Sequence, residues 1–397
     1  MDAHQNSLPP NDAAGTATIF SSHVDPGTTK RKSFATGRDD GALSAVGQDV
    51  CATTPAATAS TIGSVIRILM VVAMLACGCA TVETPVAPAG PFRGSYLRGA
   101  MGTVARIVVW APDEASAVEA ARKGFALIDA IEASLTDWKP TSETAAASRA
   151  AGGPPLPVGA LFLDAVAVAK AAARATDGAF DPTIAPVVAL WRTARKTGTL
   201  PAPEARDAAV ALRGWREIAL DRVRGTVRLP RPGMALDFGG IGKGYAADRV
   251  VALLRASGFP ACLCEIGGDF AMGEPPPDAA GWRIGTHATP PLVVANRGVA
   301  TSGDTEQHVD IDGVRWSHIV DPDTGLGVTE RRLVTVVADD GATADAWATA
   351  LSVLGPERGF ARLPKNVEAR IVVRPGLGTA SENVYETPGY RKLSASR

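Results

Sequence analysis

An excess of charge of either sign is missing from this chain. Forty Lys and Arg stand against 41 Asp and Glu, a net charge of −1. That balance gives no support for binding nucleic acid or a broadly anionic membrane. Cysteine is scarce, with five in 397 residues, and two of these close a short apolar run, so no disulfide framework is expected. Cys262 and Cys264 fall on one face of a strand and read as small buried residues, because two thiols alone do not make a zinc site. No run of about 20 apolar residues exists, the length that a spanning helix needs. A regular βαβα rhythm is also lacking, which argues against a doubly wound parallel sheet. What is present is 46% hydrophobic residues, 41 Gly and 29 Pro, enough for one large or two modest loop-rich globular domains.

Residues 1–64 are small and polar, without periodicity, and cannot bury enough apolar surface to offset their ordering entropy, so disorder is expected. Residues 65–79 (Val-Ile-Arg-Ile-Leu-Met-Val-Val-Ala-Met-Leu-Ala-Cys-Gly-Cys) have the layout of a secretory signal, an arginine before about ten apolar residues. Cysteines at its end resemble a bacterial lipoprotein site, with the lipid on Cys77 or Cys79. A signal placed after sixty polar residues suggests a true start near Val65, so that residues 1–64 are either disordered or no part of the natural chain. Residues 80–91, rich in Pro and Ala, read as a tether, and a domain is expected over residues 92–397. These features imply an inner-membrane lipoprotein of the bacterial cell envelope, facing the periplasm.

The chain is organised around residues 236–250, Leu-Asp-Phe-Gly-Gly-Ile-Gly-Lys-Gly-Tyr-Ala-Ala-Asp-Arg-Val. A carboxylate on an expected strand end is followed by glycines and Lys243, and then by helical spacing. Free N–H groups and the helix dipole make such a place suited to anions, Lys243 adds a point charge, and Asp237 is placed to bond a base or ribose. The spacing is neither that of a P-loop nor that of a dinucleotide fold. On the residues alone two readings stand: a phosphate site, or a tight strand-to-helix turn with its lysine in solvent.

Four further stretches follow: Ile266-Gly-Gly-Asp269, Ala300-Thr-Ser-Gly-Asp304, Ser317-His-Ile-Val-Asp-Pro-Asp-Thr-Gly325 and Ala344-Asp-Ala-Trp-Ala-Thr-Ala350. Together with the central stretch, and in this order, they resemble the ApbE family, the FAD:protein FMN transferases, over about residues 94–373. The resemblance implies an α+β fold, a mostly antiparallel sheet core flanked by helices, with the active site in a cleft between two subdomains. It implies an Mg²⁺-dependent transfer of FMN from FAD, the substrate, to a Thr or Ser hydroxyl of an acceptor flavoprotein, with release of AMP. An FAD pyrophosphatase and a flavin-binding lipoprotein without turnover are the alternatives.

The resemblance also assigns residues. FAD contacts are implied at Met101, Trp138, Ala179, Phe180, Asp181, Asp237, Lys243, Thr301 and Ile319. Trp138 stands where the family usually has a tyrosine, which keeps the stacking face and loses the hydroxyl. His318, on a strand that breaks at Asp321-Pro322, is implied as the general base. Asp345 and Thr349 lie four apart on one helix face and are implied to hold Mg²⁺ with the backbone carbonyl of Gly240; an exposed Asp–Thr pair is the plainer alternative. Residues 98–110 are expected to form one strand and residues 115–135 an amphipathic helix.

Overall fold

The computed structural model describes residues 18–19, 90–286, 290–303, 307–374 and 382–394. Of the first 89 residues only Thr18–Ile19 are described, a short strand parallel to Trp282–Ile284. The expected disorder, signal, lipid-bearing cysteines and most of the tether lie outside the described residues. Among the described residues no helix is long and apolar enough to cross a membrane.

An eight-stranded antiparallel sheet forms the centre. Its strands are β1 (Phe92–Ala100), β2 (Thr103–Ala111), β3 (Cys262–Ile266), β4 (Asp269–Met272), β5 (Gly298–Gly303), β6 (Arg331–Ala338), β7 (Glu368–Arg374) and β8 (Asn383–Glu386). They lie side by side in chain order, each antiparallel to the next. The single strand expected over residues 98–110 is instead a hairpin that turns at Met101-Gly102. Both turn residues have positive φ, 51° and 74°, the left-handed pair that matches the twist of a two-residue hairpin.

Period-2 alternation splits the sheet into two faces. Ile107, Val109, Cys262, Cys264, Val334 and Val336 point into the larger core, while Val108, Leu263 and Val337 point into a smaller one. The larger core is closed by helices α1 (Glu114–Leu135), α2 (Glu143–Arg149) and α3 (Ala160–Ala175) and by the later α6 (Gly242–Ala256) and α7 (Gly341–Phe360). In α1 the stripe Ala121, Phe125, Ile128, Ile131 and Leu135 is buried, and Asp113 caps the helix by accepting from the Ser116 N–H at 2.7 Å. On the opposite face, Trp282–Ile284, Leu292–Val294 and the C-terminal helix α8 (Pro388–Leu393) cover the smaller core.

A third apolar cluster stands apart from both. It joins α4 (Ala185–Thr197), α5 (Pro203–Ala211) and the hairpin His308–Ile311/Val314–Ser317 through Val187, Trp191, Ile311 and Val320. Trp191 packs on Trp316 with ring centroids 5.6 Å apart, and its indole N–H donates to the Gly325 carbonyl at 2.8 Å. This satellite unit faces the α6–α7 side of the sheet across a cleft.

Candidate active site

A cavity of about 560 Å³ occupies that cleft. At its floor, α6 and α7 cross with almost no space between their backbones. A Cβ on Gly244 would lie 2.2 Å from the Gly341 carbonyl oxygen, so only glycine permits this approach. The approach brings Lys243, the second residue of α6, to Asp345 in the second turn of α7. The Lys243 ammonium lies 2.8 Å from Asp269 Oδ2 and 3.6 Å from Asp345 Oδ2. Neither local reading of the central stretch described this, since the lysine turns inward to carboxylates. Nor is the α6 N-terminus an open set of donors: the Gly244 N–H goes to Asp345 at 3.1 Å, and the Gly242 N–H to the Phe238 carbonyl at 2.7 Å.

Electrostatics at this floor are set by burial. Asp269 is 1% exposed and Asp345 4%. Desolvation first, and the Asp345 charge second, raise the pKa of the Asp269 carboxyl, against the pull of Lys243 and of the Thr301 N–H. Desolvation alone would lower the pKa of Lys243, but the charges of Asp269 and then Asp345 outweigh it and hold it above the ordinary lysine value. Next to Asp345, the Thr349 hydroxyl sits where a side chain on Gly240 would begin, 2.8 Å from an ideal Cβ there. Among the described residues no three His, Cys, Asp or Glu side chains gather as a metal cluster. The available donors are all oxygens, from Asp345, Thr349 and the Gly240 backbone, a set that suits a hard cation such as Mg²⁺.

The hairpin tip, the α3–α4 connection and the loop before α6 build one wall. Met101 lines the cavity in the left-handed conformation, and its N–H donates to Glu132 Oε2 at 2.7 Å. A non-glycine residue held at positive φ persists because its surroundings fix it. Ala179 and Phe180 are buried in the lining. Asp181 also borders the cavity, but its carboxylate is engaged: Oδ1 accepts from the Thr183 N–H at 2.8 Å and hydroxyl at 2.6 Å, and Arg213 faces Oδ2 at 3.6 Å. Asp237 lies in a loop rather than on the expected strand end. Its N–H donates to the Pro182 carbonyl at 2.8 Å and its Oδ1 accepts from the Gly239 N–H at 2.6 Å. Arg192 of α4 spans 3.6 Å to Asp237 and bonds Asp137 at 2.5 Å.

The satellite unit supplies the facing wall. His318, Ile319 and Val320 line the cavity, with Thr301 of β5 beside them. His318 follows the strand Val314–Ser317 rather than lying within it. Its Nδ1 is 3.0 Å from the Gln307 carbonyl oxygen. A carbonyl can only accept, so Nδ1 carries a proton and donates to it, which fixes the orientation of the ring. Trp138 is not part of the cavity lining. It is 67% exposed, one residue from Asp137, with the Lys139 ammonium 4.8 Å from its ring centroid.

Comparison with known proteins bears on what this cleft is. The ApbE family model matches residues 101–371. The chain belongs to the ApbE family. A Klebsiella pneumoniae relative named FAD:protein FMN transferase is 32% identical over 299 residues, covering 72% of this chain and 85% of the relative. One from Treponema pallidum with the same name is 34% identical over 286 residues, 66% of this chain and 79% of the relative. Among solved structures, the apo form of the Pseudomonas stutzeri flavinyl transferase ApbE superposes with a TM-score of 0.69 at 27% identity, covering 78% of this chain and 99% of that one. The Vibrio cholerae flavin transferase ApbE gives a TM-score of 0.67 at 27% identity, with 76% and 99% covered. The fold of this ApbE-family chain, a large antiparallel sheet flanked by helices, is thus that of its relatives.

Several residues of this ApbE site are not assigned by the sequence reading. Asp269 stands in a motif that was singled out, Ile266-Gly-Gly-Asp269, and the Gly-Gly turn before a carboxylate is the signal that points to it. Arg192 and Arg195, which line the cavity from α4, and Glu132, which holds Met101, carry no local signal; only the packing of α4 and α1 brings them here.

Proposed function

We propose that this chain is an Mg²⁺-dependent FAD:protein FMN transferase, moving FMN from FAD to a Thr or Ser hydroxyl of an acceptor flavoprotein and releasing AMP. The observation that carries this reading is the meeting of two halves across one cleft. His318, whose Nδ1 is held by the Gln307 carbonyl, faces a floor made of Asp345, Thr349, Gly240 and Lys243, with Asp269 buried behind the lysine. The family resemblance supports FAD as the substrate, with the flavin end toward Met101, Ala179 and Phe180.

In this reading His318 Nε2 takes the proton of the acceptor hydroxyl. The hydroxyl oxygen forms a bond to the FMN phosphorus, the bond from that phosphorus to the AMP oxygen breaks, and AMP leaves with the electron pair. Mg²⁺ held by Asp345, Thr349 and the Gly240 carbonyl would neutralise the pyrophosphate charge as it develops. Lys243 adds positive charge beside the same oxygens. Trp138 acts from outside the lining as a stacking face. The envelope lipoprotein reading is part of the same proposal, supported by the run 65–79 with Cys77 and Cys79; failure of radiolabelled palmitate to enter the chain expressed in a bacterium would remove it.

The test incubates the purified protein with FAD, Mg²⁺ and a peptide bearing Asp-Gly-x-Thr, and follows AMP and peptide mass. AMP together with a peptide heavier by one FMN is expected. AMP with free FMN and an unmodified peptide assigns a pyrophosphatase instead, and persistent bound FAD without AMP assigns a flavin carrier.

A further inference from the structure

The cation set of this cleft has a competitor built into the chain. Asp269, from β4, and Asp345, from α7, are both buried, and each faces the Lys243 ammonium, at 2.8 and 3.6 Å. Two carboxylates gathered in a low-dielectric interior repel, and the ammonium beside both offsets that repulsion. Asp345 is also the one carboxylate of the set that includes Thr349 and Gly240. An ammonium this close opposes the entry of any second positive charge at Asp345. Asp269 gives the ammonium somewhere else to go, because its contact is the shorter one and its other oxygen is already bound by the Thr301 N–H at 3.2 Å.

We propose that Lys243 is an internal competitor for a divalent cation at Asp345. In the cation-free protein its ammonium neutralises Asp269 and Asp345 together. A divalent ion enters by displacing it from Asp345, leaving it paired with Asp269 alone. A lysine suits this use because its charge sits on a flexible four-carbon stem and can move without moving the helix. The inference rests on the reading of Asp345, Thr349 and Gly240 as a divalent-cation set, and its test separates the two.

The test measures Mn²⁺ binding to the full-length protein by electron paramagnetic resonance of the free ion, without FAD. Wild type, Lys243→Met, Lys243→Arg and Asp345→Asn are compared. Lys243→Met is expected to bind Mn²⁺ at least about tenfold more tightly than wild type, Lys243→Arg to bind like wild type, and Asp345→Asn to lose binding. Unchanged or weaker binding by Lys243→Met, with binding still lost in Asp345→Asn, overturns the competition and leaves the cation site standing. Absence of binding in all four removes the cation site, and the competition with it. Removing the lysine also leaves two buried carboxylates without their cation, so a thermal melt is run alongside. Mn²⁺ should raise the melting temperature of Lys243→Met more than that of wild type, and equal shifts count against the competition.

Discussion

The α6–α7 crossing has two sides, and both carry partly or fully buried carboxylates. On one side Asp248 of α6 reaches the N-terminus of α7, where Oδ1 accepts from the Gly341 N–H at 2.7 Å and Oδ2 from the Ala342 N–H at 2.8 Å. On the other, Asp269 and Asp345 share the single ammonium of Lys243. Burial raises the carboxyl pKa on each side, to about 7 at Asp248. The difference lies in the partners. Asp248 spends both oxygens on the backbone of its neighbour, so its task is to fix the crossing. Among the described residues the opposite side sets two carboxylates against one ammonium, with the Thr349 hydroxyl nearby, an imbalance that the proposed divalent cation would relieve. Size does not separate the two. The cavity on the Asp248 side is the larger, about 820 Å³, yet the polar groups around Asp248 bond one another, as in the pair Arg249–Asp164 at 3.0 Å.

Substitutions can break this contrast. Asp345→Asn should cost the most activity, lowering AMP formation from FAD by about a thousandfold while the melting temperature holds; a loss of fold with the activity would make the two sides alike. His318→Gln, across the cleft, should lower the same rate by about a hundredfold and leave FAD binding, read by flavin fluorescence, in place. Asp248→Asn should act on stability instead, and through pH. The folded pKa of about 7 lies above the ordinary value of 3.8, so the group's contribution is fully present below the unfolded pKa and fades as pH rises through the folded one. The stability advantage of wild type over Asp248→Asn, from urea unfolding, should therefore shrink between about pH 4 and pH 7; an advantage that grows over that range would reverse the assignment. Trp138→Ala should have the smallest effect, raising the KM for FAD about fivefold with kcat little changed.

Some of this was legible in local sequence. The Gly-rich turn before α6, the helical pair Asp345 and Thr349, and the stripe of α1 follow from spacing, because each is fixed within one or two turns of chain. The hairpin at Met101-Gly102 was missed, since alternation continues on either side of a turn that consumes only two residues. Asp237 was expected on a strand and lies in a loop, because the bonds that hold it go to Pro182 and Gly239 rather than to a ladder. The partners of Lys243 were not readable either, for Asp269 stands 26 residues away in sequence and Asp345 lies more than a hundred away.

By itself, then, the sequence determined the elements, the family and the kinds of group available for chemistry. Those depend on side-chain volume, glycine placement and hydrophobic period, all of which act at short range along the chain. The tertiary structure alone decided which charges meet. Gly244 lets α6 lie against Gly341 of α7, the sheet delivers Asp269 from β4, and the satellite unit carries His318 to the facing wall. Coulombic coupling depends on distance through space, and where the interior is dry that distance decides whether a lysine is a solvated surface charge or a counter-ion shared by two buried carboxylates.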